Sequence, residues 1–327
     1  MKNTYKYIIT ICPGGLCNRI KALISCSRIA KKTKRKLLVY WPNNVALNCK
    51  FNKLFENTLI EIDEKFLRNL KKEEYEFYPE SKNRFKNSNK KYIITDTWRF
   101  ALYHKDKLKN KKTTKPSKDH FDIDFENTKT PKIIKKELIK ELSSLKIKKS
   151  ILKKVNNFLK KNKLKNYVGV HIRKGDFVNK ENLDCVSPIE KFFDEIKKHS
   201  VKNQKIFLAT DNKKIEQIFK KNFKNKLTTF NKKPVNRNLD SSIIESLIEL
   251  LILSKSKIII GTYESTYSEL AWWLSKNNTK IIIAIDKKRL NNLNQNRINQ
   301  STLKEKLVFN IKRKILKLLK RNPLFYD

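Results

Sequence analysis

Short apolar runs alternate with amphipathic stretches at the start of the chain. Residues 7–12 and 36–41 are apolar runs that predict strands, and residues 16–32 repeat apolar side chains at helical spacing. The side chains of that helical stripe are Leu16, Ile20, Leu23, Ile24 and Ala30. The pattern predicts a β-α-β unit whose first strand-to-helix turn contains Gly14 and Gly15.

The next hundred residues have a weaker pattern. Residues 50–75 predict short amphipathic helices, and 77–120 is irregular except for a strand at 92–94. A segment at 105–119, rich in Lys, Asn, Ser and Thr, predicts a surface loop or insertion. Residues 131–163 are helical in pattern and very basic, which indicates a connection between domains. Three side chains after the strand either shape an acceptor pocket or pack at the sheet edge: Asp96, Trp98 and Arg99.

The second half alternates regularly between strand and helix. Strands are predicted at 167–172, 205–209, 257–260 and 280–285. Helices are predicted at about 187–200, 212–223, 242–254 and 265–275, the first with Ser187 as N-cap and Pro188 as its first residue. This alternation is typical of a doubly wound, mostly parallel α/β sheet. We therefore predict two Rossmann-like halves: an N-terminal domain (1–135), a helical connection (136–165) and a C-terminal domain (166–327).

The formal net charge of +44 is the most unusual property of the composition. Nucleic acid is one possible partner for such a basic chain. However, only 12 of the 76 basic residues are Arg, the side chain that phosphate and base recognition favours, and the Lys residues are spread over the whole length. We therefore do not expect a nucleic-acid partner, and an anionic substrate or an anionic membrane surface fits the charge equally well.

Cysteine usage and hydropathy favour a cytoplasmic protein. The five cysteines include no C-x-x-C pair, and the first apolar run is too short for a secretory signal. No window offers the roughly 18 apolar residues of a transmembrane helix. Residues 303–321 predict a Lys-rich amphipathic helix that either packs across the domains or meets anionic lipid at the membrane periphery.

A crowded polar motif follows the strand at 167–172. His171, Arg173, Lys174 and Asp176 lie around Gly175, at the strand end where open α/β sheets bind ligands. A solvated turn is the alternative. The five glycines of the chain all lie in or just after predicted strands, where the backbone needs positive φ or a close approach.

A second polar cluster opens the helix after Gly261. Ser265, Thr266, Tyr267 and Ser268 place hydroxyls at a helix N-terminus, which suits a phosphate, while a capping box of Thr266 with Glu269 is the structural alternative. Asp211 lies at the same edge, where it either accepts hydrogen bonds from a base or ribose or caps its helix. Asn18 and Arg19, in the first turn of the first helix, either face a ligand or face solvent.

Four segments together resemble the fucosyltransferase superfamily that includes nodulation α-1,6-fucosyltransferases and protein O-fucosyltransferases. They are residues 13–23, 169–177, 207–212 and 248–271, in the family order. The resemblance implies a GT-B glycosyltransferase whose two domains face each other across a cleft. It also implies inverting transfer from GDP-fucose without a metal or other cofactor.

The resemblance assigns roles to individual residues. It implies that Arg173 contacts the β-phosphate of the donor, that Ser265 and Thr266 form the phosphate-binding turn, and that Asp211 and Glu249 serve donor binding or site organisation. The other residues expected on the donor side are His171, Lys174, Tyr267 and Ser268. The N-terminal side of the cleft is expected to include Gly14, Gly15, Asn18 and Arg19.

The chain also departs from these relatives. Lys174 stands where several of them have a second Arg, and Lys cannot make the bidentate contacts of a guanidinium. No general base is evident, because Asp176, the nearest carboxylate, either acts in catalysis or orients Arg173. The expected acceptor is a glycan or glycolipid. A basic nucleic-acid-binding protein and a non-catalytic nucleotide- or glycan-binding protein remain the alternatives.

Overall fold

A parallel sheet forms the first half of the described chain. The computed structural model describes residues 5–11, 14–78, 86–96, 130–174, 186–230, 238–276, 278–293 and 295. The strands of this sheet are β1 (Tyr7–Ile11), β2 (Lys36–Tyr40), β3 (Tyr75–Tyr78) and β4 (Tyr92–Thr95), in the order β2-β1-β4-β3. The helices are α1 (Leu16–Thr33), α2 (Phe51–Leu54) and α3 (Glu64–Arg68).

Two helices connect this sheet to the second one. The stretch predicted as one helical region divides into α4 (Lys132–Ser143) and α5 (Lys149–Lys161). The chain between them pairs with the segment after α2, because the N–H of Lys148 donates to the carbonyl of Leu54 at 3.0 Å and the N–H of Glu56 donates to the carbonyl of Lys146 at 2.7 Å. These backbone bonds replace the helical bonds that a continuous helix would make.

The second sheet is also parallel. Its described strands are β5 (Val168–Ile172), β6 (Ile206–Thr210), β7 (Leu227–Thr229), β8 (Ile258–Gly261) and β9 (Lys280–Ile283), in the order β7-β6-β5-β8-β9. The intervening helices are α6 (Ile189–His199), α7 (Lys213–Phe223), α8 (Asp240–Ser254) and α9 (Thr266–Leu274), with a short 3₁₀ turn at Lys224–Lys226.

Both sheets reverse their strand order beside a central strand. In the first sheet, β2 lies on one side of β1 and β4 lies on the other. The second grows from β5 through β6 to β7, and β8 then lies on the other side of β5. Open α/β sheets bind ligands beyond the carboxyl ends of the strands at such reversals. The topology therefore indicates a ligand site at the residues that follow β1, β5 and β8.

A hydrophobic cluster extends through the elements between the two sheets. Its buried members include Ile20 of α1, Leu138 of α4, Val155 of α5, Leu250 of α8 and Trp273 of α9, each no more than 2% exposed. Removing such apolar surface from water is the main stabilising contribution to folding. The two sheets therefore share buried packing through α1, α4 and α9.

Some local predictions were wrong. Strands β3 and β7 were not predicted from the sequence, and both are short edge strands with half-buried side chains. Ser187 does not cap α6, since Pro188 is at the N-cap and the Ser187 hydroxyl accepts a hydrogen bond from the N–H of Tyr263 at 3.0 Å. That bond ties the start of α6 to the turn after β8.

Close packing, rather than positive φ, explains two of the glycines. None of the four glycines in the described residues has positive φ. A Cβ on Gly261 would lie 2.6 Å from the Ser268 hydroxyl oxygen, and a Cβ on Gly169 would lie 2.7 Å from Leu253 Cδ1. Both distances are far below van der Waals contact, so a side chain at either position requires the neighbouring side chain to move.

We expect Gly261→Ala to lower the free energy of unfolding by about 1–3 kcal/mol, the usual cost of overpacking a core. Urea denaturation of both proteins measures the change. Gly15→Ala is the matched control, because the nearest atom to a Cβ there is the Ala46 carbonyl oxygen at an ordinary 3.8 Å. Equal unfolding midpoints for Gly261→Ala and the wild type would show that Ser268 can move away without cost.

Candidate functional site

Arg173 lies at the strand reversal of the second sheet. Its backbone N–H donates to the hydroxyl of Thr262, the residue after β8, at 3.0 Å. The same hydroxyl donates to the His171 carbonyl at 2.9 Å, so Thr262 links the ends of β5 and β8. Thr262 was not predicted as a site residue, although a hydroxyl side chain directly after the strand-ending Gly261 could have indicated it.

Asp211, after β6, holds Arg173 from the other side. Its Oδ2 lies 3.3 Å from Arg173 Nε, and its Oδ1 accepts from the Lys174 N–H at 3.0 Å. The side chains of Arg173 and Asp211 are 24% and 16% exposed. The helix α7 is capped by Asn212, whose Oδ1 accepts from the N–H of Ile215, so the alternative that Asp211 caps it was wrong. Asp211 fixes one edge of the guanidinium and the Lys174 backbone.

His171 is buried behind Arg173. Its Nδ1 lies 2.8 Å from the Ser268 hydroxyl, and its ring stacks on Tyr267 with centroids 4.6 Å apart. Ser268 is fully buried, and its hydroxyl also accepts from the N–H of Thr262. His171 and Ser268 therefore pack beneath Arg173 and hold the ends of β5 and β8 together.

The N-terminus of α9 faces the same edge as Arg173. Ser265 is its N-cap residue and has extended backbone angles, but its side chain makes no capping hydrogen bond in the structure. The capping box of Thr266 with Glu269 is wrong, because the N-cap is Ser265 and not Thr266, and the Glu269 carboxylate binds Lys21 and Trp273. Because the N-cap side chain makes no capping hydrogen bond, the N-terminal N–H groups of α9 suit an anion.

Tyr267 connects this helix to α8. Its hydroxyl donates to the carbonyl of Ser246 at 2.8 Å. Burial, followed by the nearby carboxylate of Glu249, raises the pKa of the Tyr267 hydroxyl well above its ordinary value, so it stays protonated. Glu249 is itself 4% exposed. These contacts favour a site-organising role for Glu249 and Tyr267.

The N-terminus of α1 belongs to the same region. Gly15 is its N-cap, no side chain caps it, and its first turn has no acidic residue. Within the described ranges, Asn18 Oδ1 is a buried side-chain atom that has no hydrogen-bond partner. A buried acceptor without a donor costs about 1–3 kcal/mol, which a ligand hydroxyl would offset.

Cys17 lies where the two halves meet. Burial raises the pKa of its thiol to about 12, and the charges of Arg173 and Lys21 lower it only in part. The thiol is therefore neutral and packs as an apolar group. Because the charge of Arg173 acts on this thiol, the first turn of α1 must lie near the end of β5. The sequence did not indicate that the two are close.

Arg19 does not face a ligand, contrary to the prediction for the N-terminal side of the cleft. It is 2% exposed, and it donates to the carbonyl of Gly14 at 2.7 Å, to the carbonyl of Pro42 and to Asn44 Oδ1 at 2.9 Å. Because its guanidinium binds three acceptors within the protein, Arg19 holds the Gly14–Gly15 turn against the segment after β2.

Several predicted residues lie outside the described ranges: Gly175, Asp176, Trp98, Arg99 and the helix at 303–321. Asp96 is described, half-buried after β4. Among the residues that the structure describes, no group of three His, Cys, Asp or Glu side chains has an arrangement that could hold a metal ion. No helix in the same ranges has the length and apolar character needed to cross a bilayer.

Several solved structures with a similar fold are fucosyltransferases. A NodZ α-1,6-fucosyltransferase soaked with GDP-fucose aligns with a TM-score of 0.55 and 14% identity, over 83% of this chain and 92% of that chain. NodZ from Bradyrhizobium aligns with a TM-score of 0.53 and 14% identity, over 82% and 91%. A substituted FUT1 from Arabidopsis thaliana in complex with GDP aligns with a TM-score of 0.53 and 13% identity, over 85% and 70%. These likenesses confirm the predicted α/β fold of the GT-B type.

The sequence itself identifies the family. A search of curated proteins gave no match. The family model described as GDP-fucose protein O-fucosyltransferase matches residues 7–274, which include both sheets up to the end of α9. This match confirms the predicted fucosyltransferase superfamily and the predicted enzyme class, a GDP-fucose-dependent fucosyltransferase. The chain therefore belongs to the GDP-fucose protein O-fucosyltransferase family.

Proposed function

We propose that this chain transfers fucose from GDP-fucose to a glycan or glycolipid acceptor, with inversion at the sugar carbon and without a metal ion. The observation that carries the proposal is the placement of Arg173 between Asp211 and Thr262, at the same sheet edge as the N-terminus of α9. This arrangement is a cationic fork beside a helix N-terminus whose N-cap side chain makes no capping hydrogen bond, which suits a diphosphate.

Arg173 would act on the leaving group. As the bond between fucose and GDP breaks, negative charge develops on the β-phosphate. A guanidinium and helix N–H groups that are already oriented stabilise this charge more in the transition state than in the ground state, because they need no reorganisation. Asp211 holds the guanidinium in place through Nε, and Thr262 holds its backbone. These groups would supply the charge stabilisation that a divalent metal gives in other transferases.

The acceptor would approach from the side of α1. On the side of the first sheet, the acceptor would contact the Gly14–Gly15 turn and Asn18. The buried Oδ1 of Asn18 has no hydrogen-bond partner, so it can accept a hydrogen bond from a sugar hydroxyl. Inversion requires the acceptor hydroxyl to attack opposite the departing GDP, and Asp176 is our candidate for the base. We also propose that the domains divide at residues 135 and 165. The proposed location is the cytoplasm, at the membrane periphery.

A nucleotide-binding experiment tests the donor side. We expect GDP to raise the thermal unfolding temperature by several degrees at 100 times its dissociation constant, because binding to the native state alone adds about 2.7 kcal/mol there. UDP, ADP and CMP at the same concentration should shift it much less. The measurement is a thermal shift series on the full chain.

Two variants make this test specific. Arg173→Lys should reduce the GDP-induced shift, whereas Arg68→Lys, which alters an exposed Arg paired with Glu64 on α3, should leave it unchanged. If no nucleotide shifts the unfolding temperature, or if all four shift it equally, the assignment of the donor to this site is wrong.

A further inference from the structure

A cavity lies away from the Arg173 edge. Its volume is about 640 Å³, within the usual range of small-ligand sites, and it lies between the helical connection and the ends of α8 and α9. Asn166 and Ser256, which precede β5 and β8, are among its lining residues. It is therefore at the amino ends of these strands, roughly 17 Å from their carboxyl ends for a five-residue strand.

About half of the residues that line this cavity are apolar, and most of them come from the helical connection and from α8 and α9; the neutral polar ones are Ser143, Asn166, Ser254, Ser256, Ser275, Asn278 and Thr279. The apolar side chains from the helical connection are Ile139, Leu142, Leu145, Ile147 and Leu152. Those from α8 and α9 include Leu247, Leu251 and Leu274. Leu152 is 36% exposed, so apolar surface continues from the cavity to the protein exterior. The apolar side of the cavity suits a hydrocarbon chain.

The charges at the cavity are all positive. Lys255, Lys257 and Lys276 line it, and no Asp or Glu is among the described residues of its lining. All three lysines are exposed, and in the part of the chain that the structure describes none of them forms an ion pair with a carboxylate. Lys255 and Lys276 follow the ends of α8 and α9, so part of their charge offsets the helix dipoles, but Lys257 follows no helix end directly.

The neighbouring helix α5 extends this positive surface. From 142 to 174 the sequence has ten Lys and no Asp or Glu. The exposed lysines on α5 are Lys149, Lys153, Lys154, Lys160 and Lys161. On α7, by contrast, Glu216 pairs with Lys213 and Lys220. The α5 side therefore combines uncompensated charge with a cavity that has an apolar wall.

We propose that this cavity binds the acyl chain of an anionic phospholipid at a bilayer surface, with the lysine rim and α5 against the headgroups. The positive rim complements the anionic headgroup layer, which attracts basic surface residues, and the apolar side of the cavity accepts hydrocarbon. A single-stranded nucleic acid fits less well, because it needs exposed aromatic platforms and Trp273 at this cavity is fully buried. Docking in this way would hold the Arg173 edge away from the bilayer.

Vesicle binding tests the proposal independently of transfer activity. The probes are phosphatidylcholine vesicles with and without 30% phosphatidylglycerol, mixed with the full chain and sedimented. We expect binding that requires phosphatidylglycerol and that falls roughly ten-fold or more when Lys255, Lys257 and Lys276 are all changed to Ser. The control changes Lys214, Lys221 and Lys226 to Ser, which removes equal charge from exposed positions on or beside α7, and should alter binding less than two-fold.

A second measurement separates the acyl chain from the headgroup. Lysophosphatidylglycerol below its micelle concentration should raise the thermal unfolding temperature, whereas glycerol phosphate should not, and Leu152→Ser should reduce the effect. Equal loss of vesicle binding in the two triple variants would overturn the proposal, as it would indicate diffuse attraction by net charge. An equal response to glycerol phosphate would indicate a free-phosphate site, and rim-dependent binding of RNA but not vesicles would indicate a nucleic-acid surface. Both results contradict a lipid site.

Discussion

Arg173→Lys should lower the turnover of GDP-fucose roughly 100- to 1,000-fold, the usual effect of removing one oriented donor to transition-state charge. Lys keeps the positive charge, but it is a point charge without the planar fork that donates along two directions. The Nε contact of Arg173 with Asp211 would also be lost, so the new ammonium would no longer be held at the sheet edge. The measurement is the rate of GDP release from GDP-fucose by the full chain.

Stability must be followed in the same variant. The backbone bond from Arg173 to Thr262 does not involve the side chain, and the side chain is 24% exposed, so we expect an unchanged urea unfolding midpoint. Arg68→Lys on α3 is the matched control, since its guanidinium pairs with Glu64 at the surface. Turnover of Arg173→Lys within about three-fold of wild type would remove Arg173 from the mechanism.

The local pattern of the sequence was sufficient to locate most strands of both sheets. Strands β1, β5 and β8 are apolar runs bounded by polar or glycine residues, and such runs require burial whatever surrounds them. The edge strands β3 and β7 have only half-buried side chains for most or all of their length, so their sequences show no continuous apolar run. Their pairing depends on a neighbouring strand that is remote in the sequence.

The site residues that the sequence predicted lie where parallel strands end. Those that it missed depend on tertiary contacts between remote segments. Arg173 and Asp211 were placed at one edge, because parallel strands end on the same side of a sheet. The role of Thr262 depends on the β5–β8 pairing, which the sequence does not specify. Arg19 was misassigned because its three acceptors lie on a turn and on the segment after β2, and the helical position alone did not reveal them.

The ion pair between Lys21 and Glu269 is the clearest example of a contact that no local pattern predicts. The two residues are 248 positions apart, and their side chains are 2% and 7% exposed. The pair joins α1 of the first sheet to α9 of the second, one helical turn beyond Cys17 and Ser265. It therefore fixes the two helix N-termini of the candidate site relative to each other.

Breaking this pair should destabilise the protein strongly. We expect Lys21→Met to lower the free energy of unfolding by about 3–5 kcal/mol, because Glu269 would remain charged and buried without its partner. The double variant with Lys21→Met and Glu269→Gln should recover most of that loss, since it removes both charges and keeps an acceptor for Trp273 Nε1. Urea denaturation of the wild type, both single variants and the double variant gives the coupling energy.

The surface pair of Arg68 with Glu64 supplies the comparison. Its side chains are 48% and 42% exposed, so the same cycle there should give a coupling of about 0.3–0.5 kcal/mol. If the Lys21 and Glu269 single variants unfold at the wild-type midpoint, the pair does not hold the two halves together. If the double variant is as unstable as the single ones, the loss comes from packing rather than from an unpaired charge. A large coupling at the buried pair and a small one at the surface pair would establish the electrostatic contact as the link between α1 and α9.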